Sequence, residues 1–223
     1  MCGRYSLTKP PEAIRQLFVF RGNLPNLPPR YNIAPSQDAP VIRLAKDGAR
    51  EFAQLHWGLV PPWSKDPKIA YSTINARAET VASKPAFRAA FKARRCLIPA
   101  DGFYEWRKAG DRKQPYRIAM KDDCLFAFAG LWEHWEGKAS EILESFTIIV
   151  TDANDLVKAV YDRMPVILDP ADYESWFDPV TPAETAQKLL RPFPADAMKA
   201  YPIGTRINSP RNDDASVIEA QAV

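Results

Sequence analysis

Short segments of strand character fill the middle of this chain, whereas helical patterns occur at its ends and between the strands without regular alternation. In one segment Tyr116, Ile118 and Met120 alternate with Arg117 and Ala119, the period-two pattern of a half-buried strand. Strand signals cover the ranges 41–44, 52–57, 96–99, 103–107, 115–120, 124–132 and 146–151. This order predicts an α+β fold with a curved, partly closed, mostly antiparallel β-sheet flanked by short helices.

Apolar residues at helical spacing predict helices over residues 10–18, 84–95, 155–161, 170–177 and 182–190. In the second of these, a polar face would carry Lys84, Arg88, Lys92 and Arg95. The 21 prolines against 9 glycines indicate ordered, extended connections, among them residues 22–35. The connection from residue 60 to residue 77 has the length of a functional loop.

The size of the chain predicts one globular domain over residues 1–223, with a loose tail after Ser216. With 30 basic and 27 acidic residues, the net charge of +3 permits a polyanionic partner only through local clusters of charge. The basic run 107–113 is predicted to form a solvated hairpin turn that could also contact a phosphate backbone.

Cysteine and histidine counts restrict the chemistry further. Three cysteines without a C-x-x-C motif and only two histidines argue against a disulfide framework and a metal site, and no cofactor is predicted. The sequence has no apolar run of membrane-spanning length and no secretory segment, so we expect a cytoplasmic monomer without a membrane partner.

The cysteine in the opening Met1-Cys2-Gly3-Arg4 carries the most chemical content. Aminopeptidases remove an initiator methionine that precedes a small side chain, which would leave Cys2 with a free α-amine beside its thiol. The amine condenses with an aldehyde to an imine, and the thiol closes onto the same carbon to give a thiazolidine. Ordinary pKa values, about 8 for the amine and about 8.5 for the thiol, leave part of each population reactive near pH 7. An incidental cysteine near a chain end is the alternative.

Four further segments carry candidate site residues. Asn75 offers a donor and an acceptor and Arg77 a guanidinium suited to phosphate, although a capped turn with a surface arginine is the alternative. Glu105 lies among aromatic residues in a predicted strand, where burial would raise its pKa for proton transfer unless an arginine pairs with it. Arg163 follows a helix-to-strand junction, where a local ion pair is the commoner role. Trp63 could stack on a base or fill the core.

Seven short strings in register resemble the SOS response-associated peptidase (SRAP) family of abasic-site processing proteins. They are Met-Cys-Gly-Arg at 1–4, Arg-Tyr-Asn-Ile-Ala-Pro at 30–35, Trp-Gly-Leu at 57–59, Asn-Ala-Arg-Ala-Glu at 75–79, Arg-Cys-Leu-Ile-Pro at 95–99, Gly-Phe-Tyr-Glu-Trp at 102–106 and Asp-Arg-Met-Pro at 162–165. Each string alone is weak, but all seven in order are specific. The resemblance implies a sensor of abasic sites in single-stranded DNA or strand junctions, associated with the nucleoid when bound. It would form a thiazolidine crosslink through Cys2 after removal of Met1 and shield the lesion in the DNA damage response.

The resemblance also implies roles for individual residues. Asn75 would orient the reacting end, and Glu105 would act as general acid and base. Tyr161 stands where the family usually carries a histidine, and a phenol with a pKa near 10 is a poor base at neutral pH. We therefore expect slower sugar ring opening and slower crosslink release. The implied DNA-binding residues are Arg4, Pro35, Trp63, Arg77 and Arg163.

Two other functions are compatible with the opening residues. Class II glutamine amidotransferases and related N-terminal nucleophile hydrolases also begin Met-Cys-Gly, with the α-amine as base for the thiolate. Their Asn-Gly-Glu-type glutamine loop is not found in this sequence. A DNA-binding module in which Cys2 is dispensable is the second alternative. The family name further suggests a peptidase, for which autocatalytic loss of Met1 is conceivable, but an apparatus for cleaving other proteins is not visible.

Overall fold

The computed structural model describes residues 2–23 and 26–221. Met1, two residues of the predicted 22–35 loop and the last two residues of the predicted tail lie outside the described residues. The strands are β1 (Tyr5–Leu7), β2 (Arg30–Ile33), β3 (Asp38–Leu44), β4 (Arg50–Trp57), β5 (Asn75–Arg77), β6 (Arg95–Ala100), β7 (Gly102–Ala109), β8 (Arg112–Met120), β9 (Phe126–Glu136), β10 (Ile142–Asp152), β11 (Arg163–Pro165), β12 (Ile167–Leu168) and β13 (Met198–Pro202).

The helices are short. The α-helices are α1 (Pro11–Phe18), α2 (Arg88–Ala93), α3 (Asp155–Lys158), α4 (Tyr173–Phe177) and α5 (Ala183–Lys188). Helices of the 3-10 type cover Pro67–Ser72, Lys138–Ser140, Pro170–Asp172, Ala195–Ala197, Thr205–Asn208 and Ala215–Ile218. Among the described residues no helix has the length and apolar character needed to cross a membrane.

Five strands close into a barrel. Around the barrel β10 pairs with β4, β4 with β3, β3 with β6 and β6 with β9, and β9 returns to β10. Only the β4–β10 pairing in this ring is parallel. The α+β class and the curved, mostly antiparallel sheet predicted from the sequence are confirmed. The barrel closes fully, whereas the sequence predicted partial closure, and closure leaves its five strands without free edges.

A second sheet of five antiparallel strands, in the order β13-β8-β7-β1-β2, packs against the barrel. Aromatic rings join the two: the Tyr5 ring lies 5.2 Å from that of Trp57 and 5.7 Å from that of Phe128, both edge to face. Phe103 on β7 also contacts Phe128, at 6.1 Å. Such aromatic pairs stabilise beyond the area they bury. They fix β1, and therefore Cys2 just before it, against the barrel.

The C-terminal segment, residues 203–221, packs on one face of the second sheet. Buried Asn32 holds it by donating from Nδ2 to three of its backbone carbonyls, at 2.9 to 3.2 Å. The prediction of a loose tail after Ser216 is wrong as far as residue 221. Val217 is only 1% exposed, and Ala220 forms a β-bridge with Ile203. Val217 and Ile218 pack in the apolar cluster beside the second sheet, which explains the order of this stretch.

Three predicted helices are shorter in the structure, and the one predicted over 182–190 is helical only in α5. The helix predicted over residues 84–95 is helical only in α2, and Arg95 begins a strand instead of lying on a polar helix face. The Arg95 side chain is 3% exposed and donates to the carbonyls of Phe91 and Trp176, at 2.9 and 2.6 Å. It therefore satisfies carbonyl groups at helix ends, which explains its burial. The helix predicted over 155–161 ends at α3, before Tyr161.

Candidate active site

An open pocket of about 340 Å³ lies where the β7–β8 hairpin meets the connection between α3 and β11. Glu105 and Trp106 of β7 and Lys113 of β8 line one side, and Tyr161 lines the other. β7 and β8 belong to the second sheet, whereas β11 pairs with β10 of the barrel. The pocket is therefore built where elements of the two sheets approach each other.

Glu105 is a buried acid whose proton is easily exchanged at neutral pH. Its side chain is 3% exposed, and β7 pairs it with Tyr116 of β8. Burial raises the pKa of Glu105 to about 7. The rise predicted from the aromatic neighbours is confirmed. Near pH 7 the carboxylic acid and the carboxylate are both populated, so the group can donate or accept a proton.

Cys2 is fully buried beside this acid. Its Sγ lies 3.8 Å from the carbonyl oxygen of Arg4, to which the thiol donates. Burial raises the pKa of the Cys2 thiol, and the negative charge of Glu105 raises it further. The two groups therefore lie close enough to influence each other's protonation, and the thiol is held in its neutral form.

The Tyr5 phenol is a neighbour of Cys2 that the sequence did not reveal. Burial is the main cause that raises the pKa of Tyr5, and the charge of Cys2 adds to it. The phenolic oxygen is buried and has no hydrogen-bond partner among the described residues. A buried hydroxyl without a partner is uncommon in a folded protein. No local pattern signals this residue, because its approach to Cys2 depends on the path of the chain before β1.

Asn75 begins β5, which runs parallel to β10 with Asn75 opposite Ile148. Its Nδ2 donates to the carbonyl of Ile74 at 3.0 Å, and that carbonyl also accepts from the indole of Trp57 at 2.9 Å. The Oδ1 atom is buried and lacks a partner within the described part of the chain. Asn75 therefore keeps a buried acceptor, but it is not among the residues that line the pocket, and its role as an orienting residue stays a prediction.

Two arginines flank β10 at the end nearest the pocket. Val150 of β10 pairs with Arg77 on one side and with Pro165, two residues after Arg163, on the other. Arg77 is exposed, whereas Arg163 forms ion pairs with Glu79 and, at 3.2 Å, with Asp152. Arg163 is thus ion-paired as expected, but with acids of other segments and not within its own junction.

Tyr161 is half-buried between Glu105 and these arginines. Burial raises the pKa of its phenol, the negative charge of Glu105 adds to the rise, and the charges of Arg77 and Arg163 oppose it. A phenol whose pKa is raised from 10 stays protonated at neutral pH. Tyr161 can therefore donate a hydrogen bond into the pocket but cannot serve there as a base.

The other predicted DNA-binding residues have different surroundings. Arg4 is half-buried and donates to the carbonyl of Ile207 at 2.8 Å, which ties the start of the chain to the C-terminal segment. Pro35 is half-buried in the turn after β2. Trp63 is 59% exposed, with its indole 3.4 Å from the carbonyl of Pro85, so the alternative that it fills the core is wrong.

Sequence reasoning missed two residues that line the pocket. It gave Trp106 no role of its own and placed Lys113 in a solvated turn. The Trp106 indole donates to Oδ1 of Asn208 at 2.8 Å, so the C-terminal segment also supports the pocket. The density of basic residues around Lys113 was the sequence signal that could have indicated its place at the site. Within the described residues no group of three or more histidine, cysteine or acidic side chains is arranged to hold a metal ion.

Comparison with known proteins places the chain among a defined set of relatives. Residues 1–210 match the family described as SOS response associated peptidase (SRAP). The chain is 43% identical to "Abasic site processing protein YoaM" of Bacillus subtilis (strain 168), over 99% of both chains. It is 31% identical to "Abasic site processing protein HMCES" of Xenopus tropicalis, over 99% of this chain and 78% of that protein. A crystal structure of a protein from Bacteroides thetaiotaomicron superimposes with a TM-score of 0.90 at 29% identity, covering 99% of this chain and all of that one.

Proposed function

This chain belongs to the SOS response associated peptidase (SRAP) family, and on that premise we propose that it captures abasic sites in DNA as a covalent adduct of Cys2. Two relatives bear names that describe abasic site processing. The observation that carries the proposal is the buried pair of Cys2 and Glu105, in which the acid has a pKa of about 7. The substrate is single-stranded DNA or a strand junction with an abasic site. The protein acts as a cytoplasmic monomer, without a cofactor, in the DNA damage response.

The adduct is a thiazolidine formed in three steps. Hydrolytic removal of Met1 first frees the α-amine of Cys2. The amine then adds to the C1′ aldehyde of the ring-opened sugar, and the resulting carbinolamine loses its hydroxyl as water to give an imine. In the last step sulfur bonds to the former aldehyde carbon and the thiol proton passes to the imine nitrogen. The net reaction joins aldehyde and aminothiol with release of one water, so no oxidant or reductant is needed.

Glu105 can serve both proton transfers. As the carboxylic acid it protonates the departing hydroxyl of the carbinolamine, and as the carboxylate it accepts a proton from the attacking amine. A pKa of about 7 keeps both forms populated at neutral pH. Because burial raises the pKa of the Cys2 thiol, a free thiolate is scarce. Ring closure therefore proceeds from the neutral thiol, with the proton transferred as the carbon–sulfur bond forms.

Asn75 and Tyr161 complete the reacting centre. The buried Oδ1 of Asn75 accepts a hydrogen bond from the Cys2 amine and fixes its angle of attack, since orientation supplies much of the rate of such reactions. Tyr161 donates a hydrogen bond from its phenol to the sugar oxygen, but it cannot accept a proton from the sugar. Sugar ring opening and crosslink release are therefore slower than with a histidine at this position.

The DNA contacts hold the lesion without reading its sequence. Exposed Arg77 binds a backbone phosphate directly. Arg163 binds a second phosphate after it gives up its ion pair with Glu79. Arg4 contributes positive charge while it remains bonded to the C-terminal segment. Exposed Trp63 stacks on a neighbouring base, with Pro35 beside the strand. Selectivity for the lesion is chemical, because only a sugar that lacks its base presents an aldehyde.

The test uses a single-stranded oligonucleotide in which uracil-DNA glycosylase has created one abasic site. We expect the purified protein, once its intact mass shows loss of Met1, to form an adduct that survives denaturing electrophoresis. The mass of the adduct should equal protein plus DNA minus one water. The Cys2→Ala variant keeps the amine and should give a linkage only when borohydride reduces the imine.

The matched control is Cys124→Ala, since Cys124 is a free cysteine on the surface. It should crosslink like the unaltered protein. A heat-stable adduct from Cys2→Ala without reductant would rule out the thiazolidine. Failure of the Met1-free protein to form any adduct, together with glutamine hydrolysis, would instead favour the amidotransferase alternative. Failure with retained noncovalent binding would favour the simple DNA-binding module.

A further inference from the structure

The tip of the β7–β8 hairpin is densely basic. Four of its seven residues, 107–113, are basic and one is acidic: Arg107, Lys108, Arg112 and Lys113 against Asp111. All seven residues are exposed. The tip extends beyond β1, whose pairing with β7 covers only Phe103 and Gly102. We call this segment the basic hairpin tip.

The two lysine charges of the basic hairpin tip do not serve its folding. Lys108 pairs directly with Lys113 across the two strands, and like charges in that arrangement destabilise a hairpin. Arg107 packs its guanidinium over the ring of Tyr116, 4.8 Å from the ring centre, and so points along the hairpin. A repulsive lysine pair that weakens the fold indicates a partner of opposite charge outside it.

The position of the tip relative to the pocket identifies that partner. Lys113 lines the pocket together with Glu105, on the side formed by the second sheet. Tyr161 forms the opposite side, and the charges of Arg77 and Arg163 act on its phenol from the barrel. Arg163 is already paired with Glu79 and Asp152, so exposed Arg77 supplies the available positive charge on the barrel side, and Lys113 supplies it on the side of the second sheet.

We propose that the basic hairpin tip binds backbone phosphates of the lesion-bearing DNA strand on one side of the abasic sugar, while Arg77 binds them on the other side. The inference rests on the proposed function, since it takes the pocket as the place where the sugar reacts. Lysine and arginine contacts to phosphates position a strand without reading its bases. A strand held on both sides of the lesion keeps the C1′ aldehyde over Cys2.

Lys108→Gln/Lys113→Gln tests the proposal with a single-stranded oligonucleotide that contains one tetrahydrofuran abasic analogue. The analogue has no aldehyde, so binding is measured without crosslinking. Each single-strand phosphate contact contributes about 0.7 to the slope of log affinity against log salt concentration, so two lost contacts reduce the slope by about 1.4. Affinity should fall about 25-fold at ~0.1 M salt.

The control variant is Lys46→Gln/Lys121→Gln, which removes the same charge from two exposed lysines elsewhere: one in the β3–β4 turn and one after the far end of β8. Its salt slope should equal that of the unaltered protein. Loss of the lysine repulsion should leave the unfolding midpoint of Lys108→Gln/Lys113→Gln unchanged or raised. A weaker affinity with that midpoint intact is then a binding effect.

Trimming the oligonucleotide tests the two-sided arrangement. Arg77→Gln, like Lys108→Gln/Lys113→Gln, should bind the full oligonucleotide more weakly than the unaltered protein. When the strand is cut back to the analogue on one side, the affinity loss of the lysine variant should vanish and that of Arg77→Gln should persist. Trimming the other side should have the reverse effect. The inference would be overturned if the lysine variant and the unaltered protein had equal salt slopes. It would also be overturned if trimming one side of the strand abolished the affinity losses of both variants. Adduct formation by the unaltered protein on a true abasic site is scored separately, so the proposed function can stand while this inference fails.

Discussion

Glu105→Gln is expected to stabilise the protein at alkaline pH while it impairs the reaction. The carboxyl group is buried, and burial raises its pKa from an ordinary 4.5 to about 7. Below pH 4.5 the group is protonated in the folded and the unfolded chain alike. Between pH 4.5 and 7 the unfolded chain loses this proton first, so the free energy of unfolding falls as the pH rises. Glutamine has no proton to lose and escapes this decline.

The size of the effect follows from the two pKa values. One pKa unit corresponds to about 1.4 kcal/mol, and integrating the proton difference from pH 5 to pH 8 gives about 2.5 kcal/mol. The unaltered protein should lose this much stability relative to Glu105→Gln over that interval. For a chain of this length the loss corresponds to about 5–10 °C in the unfolding temperature.

Denaturant unfolding of both proteins at pH 5 and pH 8 measures the difference directly. Glu136→Gln is the matched control, because Glu136 is an exposed strand residue whose replacement should give the same stability difference at both pH values. Crosslinking rates measured between pH 6 and 8 provide the second readout. The unaltered protein should show an inflection near pH 7 that Glu105→Gln lacks. A stability difference that does not change between pH 5 and pH 8 would refute the view that a buried, uncharged acid occupies the site.

Two further substitutions probe the remaining parts of the site. Tyr161→His should accelerate crosslink release and sugar ring opening on the order of 10–100-fold at pH 7, since an imidazole can accept the proton that a phenol cannot. Time courses of adduct release measure this, with the exposed Tyr71→His as control, and equal release rates would dismiss the role given to the phenol. Asn32→Ala should lower the free energy of unfolding by about 1–3 kcal/mol, because the carbonyl of Asn212 loses its donor while those of Ile207 and Ser209 each keep a second one. Denaturant midpoints measure this against the exposed Asn23→Ala, and matching midpoints would show that other contacts hold the segment.

Local patterns predicted the features that depend on local structure. The alternation of Tyr116, Ile118 and Met120 located β8, and the aromatic neighbours of Glu105 were enough to foresee its raised pKa. Barrel closure was not predictable in this way, because it depends on the pairing of β9 and β10 with strands distant in the sequence. The same holds for Arg95, whose position among helix-end carbonyls is set by tertiary packing.

The chemistry of the site was only partly visible in the sequence. The aminothiol potential of Cys2 follows from its position alone, but its proximity to Glu105 came only from the family resemblance, since no spacing rule relates residues so far apart. The basic hairpin tip was recognised as a charge cluster, yet its place at the pocket depends on how the two sheets meet. Tyr5 had no sequence signal, because its environment is created by the barrel.

Burial of Cys2 and Glu105 links the reactivity of the site to its selectivity. Burial disfavours the charged form of both groups, so the thiol stays neutral and the acid is partly protonated near pH 7. Lys113 lines the pocket on the second sheet, and exposed Arg77 of the barrel acts on the phenol of Tyr161 that lines the other side. On the proposed mechanism the phosphates of a strand are held by these two basic side chains, while an uncharged sugar aldehyde enters. Burial of Glu105 weakens the fold at alkaline pH, and the same burial keeps the carboxylic acid available to protonate the departing hydroxyl of the carbinolamine. Glu105→Gln should therefore gain stability at alkaline pH and lose crosslinking rate together.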